Sequence, residues 1–160
     1  MSSSSLNNIV HKHCNCHRSN SPRNRCNITC FFLYTFKINI VKTAEDKTTR
    51  LGGVKFDLYK SVETAKLTQE EKDNSITNEA AGKLGLPVSN DTTWVKITTL
   101  TTSNDENPTI KGTAEYKGLA DGTYYLVETE TVNGYNLLSA PVKVELNVSA
   151  KTEWTEVNKY

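Results

Sequence analysis

An antiparallel β-sandwich is the fold class this sequence predicts, on three observations. From Phe36 onward the chain breaks into short runs rich in Thr, Val, Ile and Tyr, separated by Gly, Asn and Asp. Several of these runs alternate apolar and polar residues with period two, the pattern of a strand with one buried face. The chain also carries 21 threonines, whose β-branched side chain suits an exposed strand face better than a helix.

The elements follow in order. Residues 1–30 are Ser- and Asn-rich, basic and without apolar periodicity, and are expected to be disordered. Phe31-Phe32-Leu33-Tyr34 is too short for a signal-peptide core and no small-residue cleavage site follows it. Residues 1–35 therefore read as a disordered tail or a spurious segment from a misplaced start of the reading frame. FKINIVK (36–42) puts Phe36, Ile38, Ile40 and Lys42 on one face, and VKFDLYK (54–60) does the same with Val54, Phe56 and Leu58. Residues 68–83, acidic at the start and closed by Gly82, predict one short, exposed helix. TTWVKITTLTT (92–102) reads as a strand and NDENP (104–108) as a turn. Asp121-Gly122 is a hairpin signal directly before TYYLVETE, and VNGY (132–135) turns the chain again. PVKVELNVS (141–149) alternates through Val142, Val144, Leu146 and Val148, and TEWTEVNKY (152–160) is the last run. About seven short strands at this spacing make a sandwich.

Charge and composition exclude several functions. Residues 1–35 hold four bases, Lys12, Arg18, Arg23 and Arg25, and no acid, so the formal +1 of the whole chain leaves −3 for residues 36–160. That balance is a poor match for nucleic acid. No apolar run approaches the ~20 residues of a membrane span. Cys14, Cys16, Cys26 and Cys30 and all three histidines precede residue 31, so residues 36–160 can hold neither Cys/His catalysis nor a Cys/His metal site. The spacing of those cysteines, C-x-C, nine residues, then C-x3-C, fits no common zinc template. No metal or cofactor is expected. Asn27, Asn90 and Asn147 head glycosylation sequons, a three-residue pattern of little weight.

Two segments are more specific. RLGGVKFDLYK (50–60) supplies Leu51, Gly53, Phe56 and Leu58 in an L-x-G-x-x-F-x-L arrangement. GLADGTYYLVETETVNGY (118–135) supplies Tyr124, Leu126, Glu128 and Thr129 as Y-x-L-x-E-T, followed by a Gly134-Tyr135 turn. In this order and spacing they resemble the CnaB-type (SpaA-like, prealbumin-like) domain of Gram-positive pilins and surface adhesins, over about residues 36–160. Thr131-Val132 stands where that family usually has Ala-Pro, a departure confined to a loop. The resemblance implies a Greek-key prealbumin/Ig-like sandwich with a short helical excursion. It also implies an intramolecular isopeptide bond between a first-strand Lys and a last-strand Asn or Asp, assisted by the Glu of the second motif. By position these are Lys42, Glu128 and Asn158, the last within a closing V-x-N-K. Lys42 and Glu128 each continue an apolar face, where a charge is costly unless paired or neutralised; the plainer alternative is that each snorkels from a strand end. Asn158 shares its face with Trp154 and Glu156, so a β-bulge is needed to bring it inward. The absence of a sorting-signal pattern after Tyr160 reads as truncation, and a second placement of the acceptor lies beyond that residue.

The residue types suit that chemistry. An amine attacks only when unprotonated, and burial lowers a lysine's pKa. A carboxamide is a poor electrophile, and a buried carboxylic acid can hydrogen-bond its oxygen and shuttle protons until ammonia leaves. Holding the groups in contact makes a single turnover feasible. The functional expectation is a structural subunit or stalk domain of a cell-wall-attached pilus or adhesin, extracellular and not an enzyme in the turnover sense. Its expected partners are other pilin subunits, a sortase and a host surface protein or glycan. The alternative is an adhesin module whose 61–115 excursion binds a host protein or glycan. Trp94 and Trp154 as a sugar-stacking platform rank below simple packing.

Overall fold

The computed structural model describes residues 2–16, 30–147 and 154–157. In chain order the elements are β1 (Ser2–Cys16), β2 (Cys30–Ala44), β3 (Lys55–Glu63), a 3-10 turn (Thr64–Lys66), α1 (Gln69–Asp73), β4 (Ser75–Ile76), α2 (Asn78–Lys83), β5 (Thr92–Thr101), β6 (Thr113–Leu119), β7 (Gly122–Glu130), β8 (Val142–Leu146) and β9 (Trp154–Val157). One sheet has the order β6-β2-β1-β9 and the other β4-β5-β3-β7-β8, with antiparallel pairing throughout. The fold is mostly β in two sheets, the class the alternation predicts.

The core is built from the predicted faces. Phe36, Ile38 and Ile40 of β2 meet Phe56 and Leu58 of β3, Tyr124 and Leu126 of β7, and Val142, Val144 and Leu146 of β8, all buried in one cluster. A second cluster lies elsewhere, joining Tyr59, Trp94 and Val127 to Ala81 and Leu86 of the excursion. Trp94 meets Tyr125 edge-on with ring centroids 5.1 Å apart, and its Nε1–H donates to the Pro87 carbonyl at 2.7 Å. The excursion thus folds back over sheet residues that no reading of periodicity had covered.

Three features differ from the sequence reading. Residues 2–16 run antiparallel along β2, from Ser2 opposite Ala44 to Cys16 opposite Cys30, where no regular structure is expected. Strand pairing is made by main-chain N–H and C=O groups, so a segment can enter a sheet without apolar alternation. The single helix expected over 68–83 is two, interrupted by the two-residue β4. At five and six residues each is far below the length at which helices hold alone. Capping supports both: Thr68 and Glu71 form a capping box, and the Thr77 side chain accepts from the Ala80 N–H. Asp121-Gly122 is not a hairpin turn, because β6 pairs with β2 and β7 with β3 and β8. The step carries the chain between sheets, and the Tyr124 hydroxyl, donating to the Ala120 carbonyl at 3.0 Å, clasps it as a tyrosine corner does.

Two glycines are required by backbone geometry. Gly53 of the first motif has φ of +80°, a conformation that side chains other than glycine's disfavour. Gly112 has φ of +71°, its carbonyl accepts from the Lys42 N–H at 2.8 Å, and a Cβ there would lie 2.8 Å from the Lys42 carbonyl oxygen. Gly112→Ala is expected to lower the unfolding free energy in urea by about 2–5 kcal/mol, combining left-handed strain with displacement of packed backbone. Gly118→Ala, at φ of +82° with nothing within 4 Å of a Cβ, is expected to cost only about 1–2 kcal/mol. Equal losses would mean that contact with the Lys42 backbone carries no weight.

Candidate functional site

Alternation along β2 places Lys42 on the same inward face as Phe36, Ile38 and Ile40, and alternation along β7 places Glu128 with Tyr124 and Leu126. The two strands belong to different sheets, so the side chains meet across the core. Lys42 Nζ donates to Glu128 Oε2 at 2.8 Å, and both side chains are 0% exposed. Neither snorkels to water. The backbone around Lys42 is pinned on both sides, its N–H donating to Gly112 and its carbonyl accepting from the Leu51 N–H at 3.0 Å.

Two further groups shape the site. Phe56, opposite Glu128 in the β3–β7 register, has its ring centroid 5.8 Å from Lys42 Nζ. The Leu138 N–H donates to Glu128 Oε2 at 3.0 Å. Oε2 therefore accepts two hydrogen bonds, whereas the buried Oε1 has no hydrogen-bond partner among the described residues. A buried carboxyl oxygen without a partner is costly and marks a place where a further donor fits. Burial lowers the Lys42 pKa below 10.5, outweighing the hydrogen bond and charge of Glu128, which raise it. An amine so placed sheds its proton more readily than a solvated lysine, and the neighbouring carboxyl is within proton-transfer distance.

Sequence reasoning missed Leu138, because a backbone N–H carries no sequence signature, and it read Phe56 only as core. It also missed a polar clasp on β3. Asp57 is 8% exposed and accepts from Thr99 Oγ1 at 2.6 Å and from Lys96 Nζ at 2.7 Å. The signal lay in the cross-strand register, which sets Asp57 opposite Thr99, with a bulge between Leu58 and Tyr59.

The third expected partner, Asn158, lies outside the described residues. The strand leading to it, β9, pairs with β1: Val157 is opposite Ser4, and Ser4 is opposite Lys42. One strand thus separates β9 from β2, a distance of about 9–10 Å at ordinary strand spacing. Trp94 is 5% exposed beneath the excursion and presents no open stacking face. No cluster of His, Cys, Asp and Glu among the described residues is arranged to hold a metal, and no helix among them is long and apolar enough to cross a membrane.

Residues 36–160 match the SpaA family, described as a prealbumin-like fold domain. No curated protein and no solved structure matches the chain.

The lowered Lys42 pKa has a consequence for stability in a chain whose Lys42 is not crosslinked. In Glu128→Gln the charge that raises that pKa is removed, while the amide oxygen can still accept from the amine, so the shift deepens. Between the lowered value and 10.5 the unfolded chain holds a proton at Lys42 that the folded chain has released, so stability rises with pH through that window. Urea titrations of Glu128→Gln from neutral pH upward are expected to show this rise, with a slope of up to about 1.4 kcal/mol per pH unit. Lys42→Met/Glu128→Gln should lack it; the same slope in both would place the titrating group elsewhere.

Proposed function

Because the chain belongs, through residues 36–160, to the family of SpaA prealbumin-like fold domains, we propose that it serves as a subunit or stalk domain of a Gram-positive, cell-wall-attached pilus or adhesin, held by an intramolecular isopeptide bond at Lys42. Domains of this family are structural, of the pilin and adhesin type, and are associated with pilin subunit assembly. They are typically extracellular, and theirs is not normally an enzyme fold. The observation that carries the finer reading is the 2.8 Å contact between a fully buried amine and a fully buried carboxyl whose second oxygen has no hydrogen-bond partner among the described residues.

The chemistry balances without a cofactor. Unprotonated Lys42 Nζ attacks the side-chain carbonyl carbon of an acceptor Asn, a new C–N bond forms, and the carboxamide C–N bond breaks. The proton lost by the amine passes through Glu128 to the departing nitrogen, which leaves as ammonia. Glu128 ends as it began, and the event happens once per chain. Asn158 is the proposed acceptor, by its place in the closing V-x-N-K. A bond from Lys42 to Asn158 encloses more than a hundred residues and on loop-entropy grounds stabilises by ~4–5 kcal/mol. Force reaching Lys42 and Asn158 would then bypass the chain between them, residues 43–157. Other pilin subunits and a sortase are the partners this role requires. A host protein or glycan at the 61–115 excursion is the second reading; Trp94, Ala81 and Leu86 of that segment are spent on packing, which favours the structural role.

Intact-mass spectrometry of the chain is expected to show it lighter than its sequence by one ammonia. Lys42→Ala and Glu128→Ala should each restore the full mass and lower the melting temperature while leaving a folded sandwich. Asn158→Ala decides the acceptor: full mass assigns the bond to Asn158, and an unchanged deficit assigns it to another residue. A wild-type chain at full mass, with folding verified, would overturn the crosslink reading.

A further inference from the structure

All four cysteines precede residue 31 and so lie outside the matched domain. The β1–β2 register brings two of them to one rung: Cys16 is opposite Cys30, the last pair before residues 17–29. Directly opposed residues of an antiparallel pair have Cα atoms about 4.5–5.5 Å apart and Cβ atoms on one face, within the ~4.4–6.8 Å that a disulfide spans. Cys14 is opposite Phe32, so its path to Cys30 is a diagonal of about 7–8 Å, beyond that reach. Cys26 falls within residues 17–29, outside the described residues.

We propose that Cys16 and Cys30 form a disulfide that closes the β1–β2 hairpin and holds β1 in its sheet. β1 opens with Ser2-Ser3-Ser4-Ser5 and carries no apolar alternation, so side-chain burial specifies its register weakly. A covalent tie at one rung fixes that register for all fifteen residues of β1. β9 depends on it in turn, since Ser4–Asn7 are the residues to which β9 pairs. The bond forms by thiol–disulfide exchange: one cysteine thiolate attacks a small-molecule disulfide and releases one small thiol, and the second thiolate then attacks the protein sulfur of the resulting mixed disulfide and releases the other. The two thiols lose two protons and two electrons, and the oxidant is reduced to two small thiols. The proposed extracellular location supplies such oxidising conditions in the cell, and the proposal rests on that reading for this point alone. Lys42 is twelve residues along β2 from Cys30, about 40 Å, so the two crosslinks are chemically independent.

The test uses the full chain equilibrated with oxidised and reduced glutathione, alkylated without reduction, and read by intact mass and peptide mapping. Trypsin should release residues 13–18 linked to residues 26–37, with fragmentation assigning the bond to Cys16 and Cys30. Cys14→Ser/Cys26→Ser should form the bond within one chain and take up no alkyl label. Cys16→Ser/Cys30→Ser should take up two labels, and its residues 2–16 should be clipped faster by protease than in the oxidised wild type. Two labels on oxidised Cys14→Ser/Cys26→Ser, a bond between chains, or a wild-type bond at Cys14 or Cys26 would each overturn the proposal. The ammonia deficit is measured on the same spectra and should be the same in all of these variants, so a failure there is distinct from a failure here.

Discussion

A lysine amine and a glutamate carboxyl shut away from water between two sheets set the terms for the rest of this structure. Removing either charge from water costs several kcal/mol, and their mutual attraction offsets this only when the geometry is good and the remaining polar atoms find partners. Lys42 and Glu128 meet the first condition at 2.8 Å. The second is met at Oε2, which also accepts from the Leu138 N–H, and is unmet at Oε1 among the described residues. An amide nitrogen carries no such charge, so the bond proposed at Lys42 would relieve the cost that burial imposes. The same burial that lowers the Lys42 pKa prepares the nitrogen to react.

The surrounding elements read as the means of holding that pair. Gly112 and Leu51 bond the Lys42 backbone from both sides, and Gly112 can approach so closely only because it lacks a Cβ. Phe56 walls the amine with an aromatic face, and the Thr102 hydroxyl ties nearby segments by donating to the Leu51 carbonyl while accepting from the Val54 N–H. The buried Thr102 is thus fully engaged in joining the first motif to the end of β5. On β3, Asp57, Thr99 and Lys96 fasten the partner strand, so the strands that carry the site are braced by polar contacts as well as by apolar packing.

What could be read from sequence follows from which forces leave a sequence trace. Burial of alternate residues leaves one, so Phe36, Ile38, Ile40, Lys42, Tyr124, Leu126 and Glu128 stood on their inward faces before any coordinates. Their meeting in space was implied by the family resemblance, since alternation says which way a residue faces but not what faces it. Main-chain pairing leaves no trace, which is why β1, made of Ser, Asn and His among others, read as a tail. Asp-Gly marks a reversal without saying whether the next strand pairs with the last or crosses to the other sheet; here it crosses, and the bond from Tyr124 to Ala120 clasps the step. The helix over 68–83 was legible as helical, but its division at Asn74–Thr77 depended on β4 finding β5.

The central claim is that Lys42 becomes an amide nitrogen inside the folded chain, and the lysine side-chain nitrogens report on it directly. In a chain labelled with nitrogen-15 at lysine Nζ, the account predicts one Nζ resonance with the chemical shift and single attached proton of a secondary amide, absent in Lys42→Ala. Lysine nitrogens that all remain amine or ammonium in the folded wild-type chain would contradict it.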